Sequence, residues 1–409
     1  MKLADFRMKI ATLPERLRRV DDLSLSGLKG PGGLICGCGA LTDLAGRVRA
    51  LLSREGPILI VADPVVAGLG WCDLAEEILA RADLRTLRFA QVEAEPSLET
   101  ASAVVAMAAP HAPALILGIG GGSAMDVAKI AALALGLGCD ARDVLAQSPS
   151  TAGPGALPLI LVPTTAGTGS EVSLFAVATA GSEKRSLIGR GILPELALID
   201  PMLSATMPAS VTAMTGMDAL THAIEAMMHV KATPLIDGLA LGAVTLIGRA
   251  LRRACQDGSD MEARHDMAVA AALSMIAFNQ TGGLWAHSVS YLLGEHCKAP
   301  HGLGCALGLA ALMRYNEPVC GPALRSIAAA LQPGATEAGE AAGAVTRLMH
   351  DIGLPGDLSG FGLPHGALSR LASEMLQRYP RAGNPRPMDA TEAIGYWHDM
   401  AGLTAQEAG

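Results

Sequence analysis

Short apolar runs alternate with helix-like segments through the first half of the chain. Four runs rich in Leu, Ile, Val and Ala end in an acid, a glycine or a hydroxyl residue: Pro57–Asp63, Ala114–Gly120, Leu157–Thr164 and Leu196–Asp200. Such runs are typical of strands that a parallel sheet buries on both faces. Helical periodicity over Ser97–Ala109 and Ser123–Leu135 lies between them. The alternation predicts a doubly wound α/β domain.

Beyond about residue 200 the periodicity is helical throughout. Helices are predicted over Ser210–Met228, Pro234–Cys255, Met261–Phe278 and Leu284–Leu293, and around Pro322–Leu331, Glu340–Ile352 and His365–Leu376. A chain of 409 residues also exceeds what one hydrophobic core usually supports. We therefore predict an α/β domain over 1–200 and an all-helical domain over 201–409. Ligands are expected in a cleft at the carboxyl ends of the strands, facing the helical domain.

Charge and composition exclude several classes of protein. The chain carries 31 Lys and Arg against 39 Asp and Glu and has no basic run, so no nucleic-acid partner is expected. The first residues are charged throughout, and no uncharged stretch is predicted to be long enough to span a bilayer. These features predict a cytoplasmic protein with no membrane partner. The eight cysteines form no CxxC pair and are expected to be reduced thiols.

Two segments rich in small residues follow predicted strands. The segment Gly118–Asp126 opens a predicted helix, and its consecutive glycines would let the backbone approach a phosphate at the helix N-terminus. The segment Pro163–Glu171 carries four hydroxyl side chains suited to hydrogen bonding around a polar ligand, although in isolation an ordinary Ser/Thr/Gly loop is the better explanation.

Asp63 ends the run PILIVAD and has two interpretations. Its carboxylate can accept hydrogen bonds from a ribose diol and repel a 2′-phosphate, which favours NAD over NADP. Alternatively, it is a helix-capping or turn residue before Pro64. The local pattern does not choose between them.

A set of metal-binding residue types lies in the second half. Asp218 and His222 are four residues apart, so one helix face presents both side chains. His287 and His301 follow further along the chain, 14 residues apart. One carboxylate and three imidazoles suit a divalent transition metal, without choosing among iron, zinc, manganese and nickel.

Together these residues resemble the iron-containing (group III) alcohol dehydrogenase family from about residue 33 to about residue 402. The motifs that carry the resemblance are GGGSAMD (Gly120–Asp126), PTTAGTGSE (Pro163–Glu171), the segment Asp200–Ala226, and HSVSYLLGEHCKAPHG (His287–Gly302). The resemblance implies a Rossmann-like N-terminal domain and an all-α C-terminal domain, a fold shared with dehydroquinate synthases. It also implies a homodimer or higher homo-oligomer that transfers a hydride between NAD(H) and a small alcohol or aldehyde.

The resemblance assigns roles residue by residue. It implies that iron, with zinc as the alternative, binds Asp218, His222, His287 and His301. It implies that NAD, with NADP not excluded, binds Asp63, Gly120, Gly121, Gly122, Ser123, Asp126, Thr164, Thr165, Ser173 and Lys184.

Tyr291 departs from the family pattern, because many members carry a histidine at this position for proton transfer. A phenol does not titrate near neutrality as imidazole does, but it can pass a proton through its hydroxyl. Tyrosine also occurs here in relatives that resemble hydroxyacid–oxoacid transhydrogenases and phosphonoacetaldehyde reductases. Tyr291 is therefore the expected catalytic residue, and these two activities are the alternatives. A catalytically silent relative is a third alternative, against which the intact motifs argue.

Overall fold

The computed structural model describes residues 1–24, 28–146, 150–181, 183–363 and 365–402. The chain folds as two compact units, Met1–Thr206 and Met207–Gly409. The first unit has a mostly parallel sheet with helices, and the described part of the second is helical. The predicted fold class, an α/β domain followed by an all-α domain, is confirmed.

A seven-stranded sheet organises the first unit, with strand order β1-β2-β10-β7-β5-β3-β4. Only the edge strand β1 is antiparallel to its neighbour. A smaller sheet has the order β6-β9-β8. The strands are β1 (Asp21–Ser24), β2 (Gly33–Cys36), β3 (Ile58–Ala62), β4 (Thr86–Phe89), β5 (Leu115–Gly120), β6 (Ser150–Thr151), β7 (Leu159–Pro163), β8 (Phe175–Ala180), β9 (Glu183–Ile188) and β10 (Leu196–Ile199).

The strand order reverses between β3 and β5. From β3 the chain moves outward to β4, whereas from β5 it moves in the other direction to β7 and β10. The two strands are in parallel register, with Ala62 opposite Ile119, so that Asp63 and the glycines after Ile119 follow them at the same edge. Crevices for ligands in open α/β sheets form at the carboxyl ends of strands where the order reverses.

Helices cover the sheet of the first unit. Gly118 lies where α7 packs on β5 and β7, because a Cβ there would come within 2.6 Å of Leu161 Cδ2 and 2.8 Å of Ala128 Cβ. Only glycine allows this approach of helix and strand. The helices are α1 (Leu3–Ala11), α2 (Glu15–Arg18), α3 (Leu44–Leu51), α4 (Pro64–Gly68), α5 (Trp71–Ala80), α6 (Leu98–Ala108), α7 (Gly122–Leu137) and α8 (Ala141–Val144).

The second unit packs around the buried helix α9, which contacts α10, α11 and α13. Helix α13 is longer than the predicted helix around Pro322–Leu331, because it begins at His301 and is kinked at Cys320 (φ −114°, ψ 16°), between Pro318 and Pro322. The helices are α9 (Ala209–Met228), α10 (Pro234–Gln256), α11 (Met261–Thr281), α12 (Trp285–Cys297), α13 (His301–Leu331), α14 (Glu340–Asp351), α15 (His365–Arg378) and α16 (Ala390–Met400).

Helix α10 is the one helix among the described residues that is long and apolar enough to cross a bilayer by length and composition. It carries Asp237 and three arginines, so it is not the long uncharged stretch whose absence the sequence predicts. It packs against α9 and α11, and its Arg249 and Arg253 pair with Asp266 of α11 and with Asp260, which caps α11. Buried apolar residues together with ion-paired arginines are the pattern of an amphipathic helix at the surface of a helical unit.

Candidate functional site

One face of α9 presents a row of buried polar side chains. Asp218, His222 and Glu225 are spaced i, i+4 and i+7, which places them on the same side of the helix. Their exposed fractions are 2%, 4% and 0%. Buried ionisable groups are costly unless they are paired or bind an ion, so this row indicates a site.

Helices α12 and α13 bring two more imidazoles to this row. His287 lies in the first turn of α12, and His301 is the first residue of α13. Ligand atoms of Asp218, His287, His301 and Cys305 all lie within 4.8 Å of one another. His301 Nε2 is 3.6 Å from Asp218 Oδ1, and His222 Nε2 is 3.9 Å from the same oxygen. The four residues predicted to be ligands are therefore brought together.

Three atoms in this cluster are buried without a hydrogen-bond partner in the part of the chain that the structure describes. They are Asp218 Oδ1, His222 Nδ1 and His287 Nε2. Buried polar atoms nearly always have a partner, so the unpartnered atoms of Asp218 and His287, two side chains whose ligand atoms lie within 4.8 Å of each other, fit a bound cation. Burial lowers the pKa of His222 well below its usual value, and the neighbouring His287 and His301 lower it further. The neutral imidazole that results is the form that binds metals.

Glu225 holds His287 in position through hydrogen bonds to its ring and to the first turn of α12. Its carboxylate accepts hydrogen bonds from the backbone N–H groups of Leu284 (2.7 Å) and Ala286 (3.0 Å) and pairs with His287 Nδ1 (2.7 Å). Because the carboxylate is an acceptor, Nδ1 carries the proton and Nε2 is left as an acceptor towards the cluster. Sequence analysis missed Glu225, although its spacing from Asp218 and His222 was a usable signal.

Tyr291 lies beside the cluster. Its ring stacks on that of His301, with centroids 5.9 Å apart and planes inclined by 24°. The Arg381 guanidinium lies 5.7 Å from the centre of the Tyr291 ring. Burial raises the pKa of Tyr291, although the charge of Arg381 opposes the rise. The phenol therefore keeps its proton at neutral pH.

The predicted phosphate loop lies at the reversal of strand order in the first unit. A Cβ on Gly120 would come within 2.7 Å of Ala124 Cβ and 3.1 Å of Asp63 Oδ2. A Cβ on Gly121 would lie 3.4 Å from the Thr165 side chain. Helix α7 begins at Gly122, so the predicted Ser123 lies in its first turn. The loop leads into the N-terminus of a helix, where an anion is stabilised.

Asp63 is a helix cap. Its Oδ1 accepts hydrogen bonds from the backbone N–H groups of Val65 and Val66, both at 2.9 Å. Its Oδ2 faces Gly120. The capping interpretation is correct, and the ribose interpretation stays a prediction that concerns the second oxygen.

The predicted hydroxyl residues divide into two groups. Thr164 and Thr165 follow β7, and the buried Thr165 Oγ1 has no hydrogen-bond partner among the described residues. Ser173, by contrast, is 3% exposed and accepts a hydrogen bond from Lys129 Nζ at 2.8 Å. Lys184 lies on β9 with its Nζ 3.6 Å from Glu95 Oε1. The structure thus brings the threonines to the phosphate loop, whereas Ser173 faces a buried lysine.

Lys129 is a buried cation that sequence analysis missed. Its Nζ also donates to Ser170 Oγ (3.0 Å) and to the backbone oxygen of Phe175 (2.7 Å). Asp126 lies 4.0 Å from Nζ and itself accepts from Ser170 Oγ (2.7 Å) and Val177 N (3.0 Å). Burial lowers the pKa of Lys129 to about 8, although Asp126 opposes the shift. Both oxygens of Asp126 are thus occupied in tying α7 to the segment 170–177.

Comparisons with known proteins agree with this geometry. A model of the iron-containing alcohol dehydrogenase matches residues 31–201, and a model of the C-terminal part of the Fe-containing alcohol dehydrogenase family matches residues 212–396. The chain is 37% identical over 349 residues to long-chain-alcohol dehydrogenase 1 of Geobacillus thermodenitrificans (strain NG80-2), covering 84% of this chain and 88% of that protein.

Two solved structures are similar over their full length. The crystal structure of a 1,3-propanediol oxidoreductase has a TM-score of 0.84 and 30% identity, covering 94% of this chain and 100% of that one. Sulfoacetaldehyde reductase from Bifidobacterium kashiwanohense, in complex with NAD⁺, has a TM-score of 0.84 and 25% identity, covering 93% and 100%. The resemblance predicted from the four motifs is confirmed. The chain therefore belongs to the iron-containing alcohol dehydrogenase family and is an oxidoreductase of that family.

Proposed function

We propose that this enzyme transfers a hydride between NAD(H) and a small alcohol or aldehyde at a divalent metal centre held by Asp218, His222, His287 and His301. The observation that carries the proposal is that Asp218 Oδ1 and His287 Nε2 are buried without a hydrogen-bond partner among the described residues, in a group of side chains whose ligand atoms lie within 4.8 Å of one another. Iron is the metal we propose from the family, with zinc as the alternative. When bound, such a metal supplies Lewis-acid polarisation of a carbonyl or alcohol oxygen.

The residues of the first unit bind and orient the dinucleotide in this proposal. The backbone of Gly120–Gly122 and the N-terminus of α7 hold the pyrophosphate, because the backbone N–H groups at the start of the helix are free to donate and the helix end is positive. Thr165 Oγ1 has no hydrogen-bond partner among the described residues, so it is available to hydrogen-bond to the dinucleotide. Asp63 Oδ2 accepts from a ribose hydroxyl and repels a 2′-phosphate, so NAD is favoured. The nicotinamide supplies or accepts the hydride.

Tyr291 moves the proton. Its pKa is raised by burial, so the hydroxyl is protonated at neutral pH. It can donate that proton to the carbonyl oxygen, which takes the π-electron pair of the C=O bond when the hydride adds to the carbon. Water or a neighbouring hydroxyl then returns a proton to the phenol Oη. The ring stacking on His301 fixes the phenol next to the cluster.

Reconstitution tests the proposal. The metal-free protein is loaded anaerobically with Fe(II) or Zn(II), and NADH absorbance is followed against small aldehydes, alcohols and hydroxyacids. We expect metal-dependent turnover, lost in His222→Ala but retained in His296→Ala, whose imidazole pairs with Glu374 on the exposed surface. NADH binding should survive in both variants. Turnover of a hydroxyacid–oxoacid pair without net NADH change would instead indicate a transhydrogenase.

A second candidate substrate class is a small anionic aldehyde. Arg381 lies beside Tyr291, where its positive charge can bind a sulfonate, phosphonate or carboxylate. Arg381→Ala should raise KM for such an aldehyde by about 10-fold or more with little effect on a neutral aldehyde. The matched control is Arg378→Ala, which removes an arginine paired with Glu295. Equal effects of Arg381→Ala on both aldehydes would contradict anion recognition.

We also propose a cytoplasmic location and a homodimeric or larger assembly, both from the family resemblance. Size-exclusion chromatography with light scattering tests the assembly. A single species at the mass of one 41.8 kDa chain would contradict it.

A further inference from the structure

A thiol completes the polar cluster of the second unit. Cys305 follows His301 by one helical turn on α13, so both side chains lie on the same face. Cys305 is fully buried, and its Sγ lies 3.6 Å from His301 Nε2. The same Sγ is among the ligand atoms that lie within 4.8 Å of one another, together with those of Asp218, His287 and His301.

We propose that Cys305 is a metal ligand, which gives the centre a sulfur donor and strengthens its binding of borderline-soft ions such as Zn(II) and Co(II) relative to Mn(II). This inference rests on the metal centre of the proposed function. It adds a donor to the set of one aspartate and three histidines. On binding, the S–H bond is lost, its proton passes to solvent, and a thiolate lone pair binds the ion.

The surroundings of the thiol support this role. Its hydrogen-bonding neighbours are Asp218, His301 and Ser290, and the first two are proposed ligands. Ordinary buried cysteines behave as small apolar side chains in apolar surroundings. Cys320, on the same helix, is of that kind, because its one polar contact within the described part of the chain is with the backbone oxygen of Met228 at 3.9 Å.

The unpartnered atoms give an independent reason to place an ion here. Asp218 Oδ1 and His287 Nε2 belong to side chains that are 2% and 3% exposed, and neither has a hydrogen-bond partner in the described chain. Both residues belong to the group whose ligand atoms, Cys305 Sγ included, lie within 4.8 Å of one another. An ion bound by Asp218 and His287 therefore lies within reach of the thiol.

The softness of the donor atoms decides which metal ions a sulfur ligand binds more tightly. Thiolate favours zinc and copper, whereas carboxylate and carbonyl oxygens suit magnesium and manganese. Removing the sulfur should weaken Zn(II) binding by about 10- to 100-fold, the range seen when a ligand environment is altered, and should affect Mn(II) less.

Cobalt substitution tests the ligand directly. The metal-free full-length protein, Cys305→Ser, Cys305→Ala and the control Cys320→Ser are each loaded with Co(II), and their electronic spectra are recorded. We expect an intense near-ultraviolet sulfur-to-cobalt charge-transfer band in the unaltered protein and in Cys320→Ser. The band should be absent from both Cys305 variants, whose weaker visible cobalt bands should remain.

The outcomes separate this inference from the function on which it rests. Visible cobalt bands without the charge-transfer band in the unaltered protein would overturn the thiolate ligand and leave the metal centre intact. No cobalt or zinc bound at all would overturn the metal centre itself. X-ray absorption of the unaltered zinc form needs no variant and should show a sulfur neighbour at about 2.3 Å. A shell of only nitrogen and oxygen would refute the thiolate.

Discussion

Glu225→Gln is the most informative single substitution in the candidate metal centre. In the glutamate, Oε1 accepts from the backbone N–H groups of Ala286 and His287, and Oε2 accepts from Leu284 N and pairs with His287 Nδ1. Glutamine has nearly the same shape but only one acceptor oxygen. In either orientation, its amide NH₂ therefore faces at least one donor that was previously satisfied.

The magnitude follows from these contacts. A buried donor without a partner costs about 1–3 kcal/mol, so the metal-free variant should lose that much free energy of unfolding. The pKa of Glu225 is held below its usual value by His287 although burial opposes this, which indicates an ionised carboxylate. Without that charge, the proton on His287 Nδ1 is less firmly fixed. Loss of such support weakens metal binding by about 10- to 100-fold, or about 1.4–2.8 kcal/mol.

Two measurements distinguish the roles of Glu225. Zn(II) affinity is measured by competition with a chelator, and the stability of the metal-free protein by urea denaturation. The control is Glu295→Gln, which alters a carboxylate paired with Arg378 away from the cluster. Unchanged Zn(II) affinity together with reduced stability would refute the support of His287 and leave Glu225 as a cap of α12.

Three further perturbations test the first unit. Gly120→Ala should weaken NADH binding by about 10-fold or more, measured by fluorescence titration, because the new Cβ meets Ala124 and Asp63; unchanged binding would contradict the phosphate-loop assignment. Lys129→Met should cost about 3–5 kcal/mol in urea denaturation, since it leaves the carboxylate of Asp126 buried without its cation; a loss below about 1 kcal/mol would contradict that pairing. Burial raises the pKa of Asp200 to about 6, although backbone N–H groups oppose the rise, so the folded protein keeps this proton at pH values where the unfolded chain has lost it. The free energy of unfolding should therefore fall as pH rises from about 4 to 6, by up to about 3 kcal/mol, and this slope should be missing in Asp200→Asn.

The central strands could be predicted because burial on both faces leaves an uninterrupted apolar run. The strands β3, β5, β7 and β10 lie inside the predicted segments. The strands β1 and β9 were not predicted, since their sequences DDLS and EKRSLI carry charges and resemble loops. Polar strands at an edge or in a small sheet lack the apolar signal on which sequence analysis depends.

The first half of α13 was missed for a different reason. Its sequence begins with His301 after a proline, contains several glycines and carries prolines at 318 and 322, all of which suggest loop structure. Burial on most sides compensates, because many of its residues from Gly302 to Met313 are packed in the core. Tertiary packing overrides local propensity at such positions.

The sequence predicted the proposed aspartate and histidine ligands of the candidate site, but not the residues that surround and support the two sites. Asp218 and His222 were found from spacing on one helix, and the same spacing relates His301 to Cys305. Cys305 was overlooked because its spacing from Cys297 does not form a CxxC pair that would suggest a metal motif. Lys129 had one usable signal, since it is the only charge between Val127 and Leu137, but its acceptors come from a segment more than 40 residues away.

The double use of Asp63 constrains how cofactor preference can change in this lineage. One oxygen caps α4, and the other faces the phosphate loop, where we propose that it selects against a 2′-phosphate. A substitution that merely removes the acid, such as Asp63→Ala, therefore also loses the cap, at about 1 kcal/mol. Serine, threonine and asparagine keep a capping oxygen without the charge. Evolution towards NADP is thus expected to pass through those three residues, so that coenzyme selection and helix stability change separately.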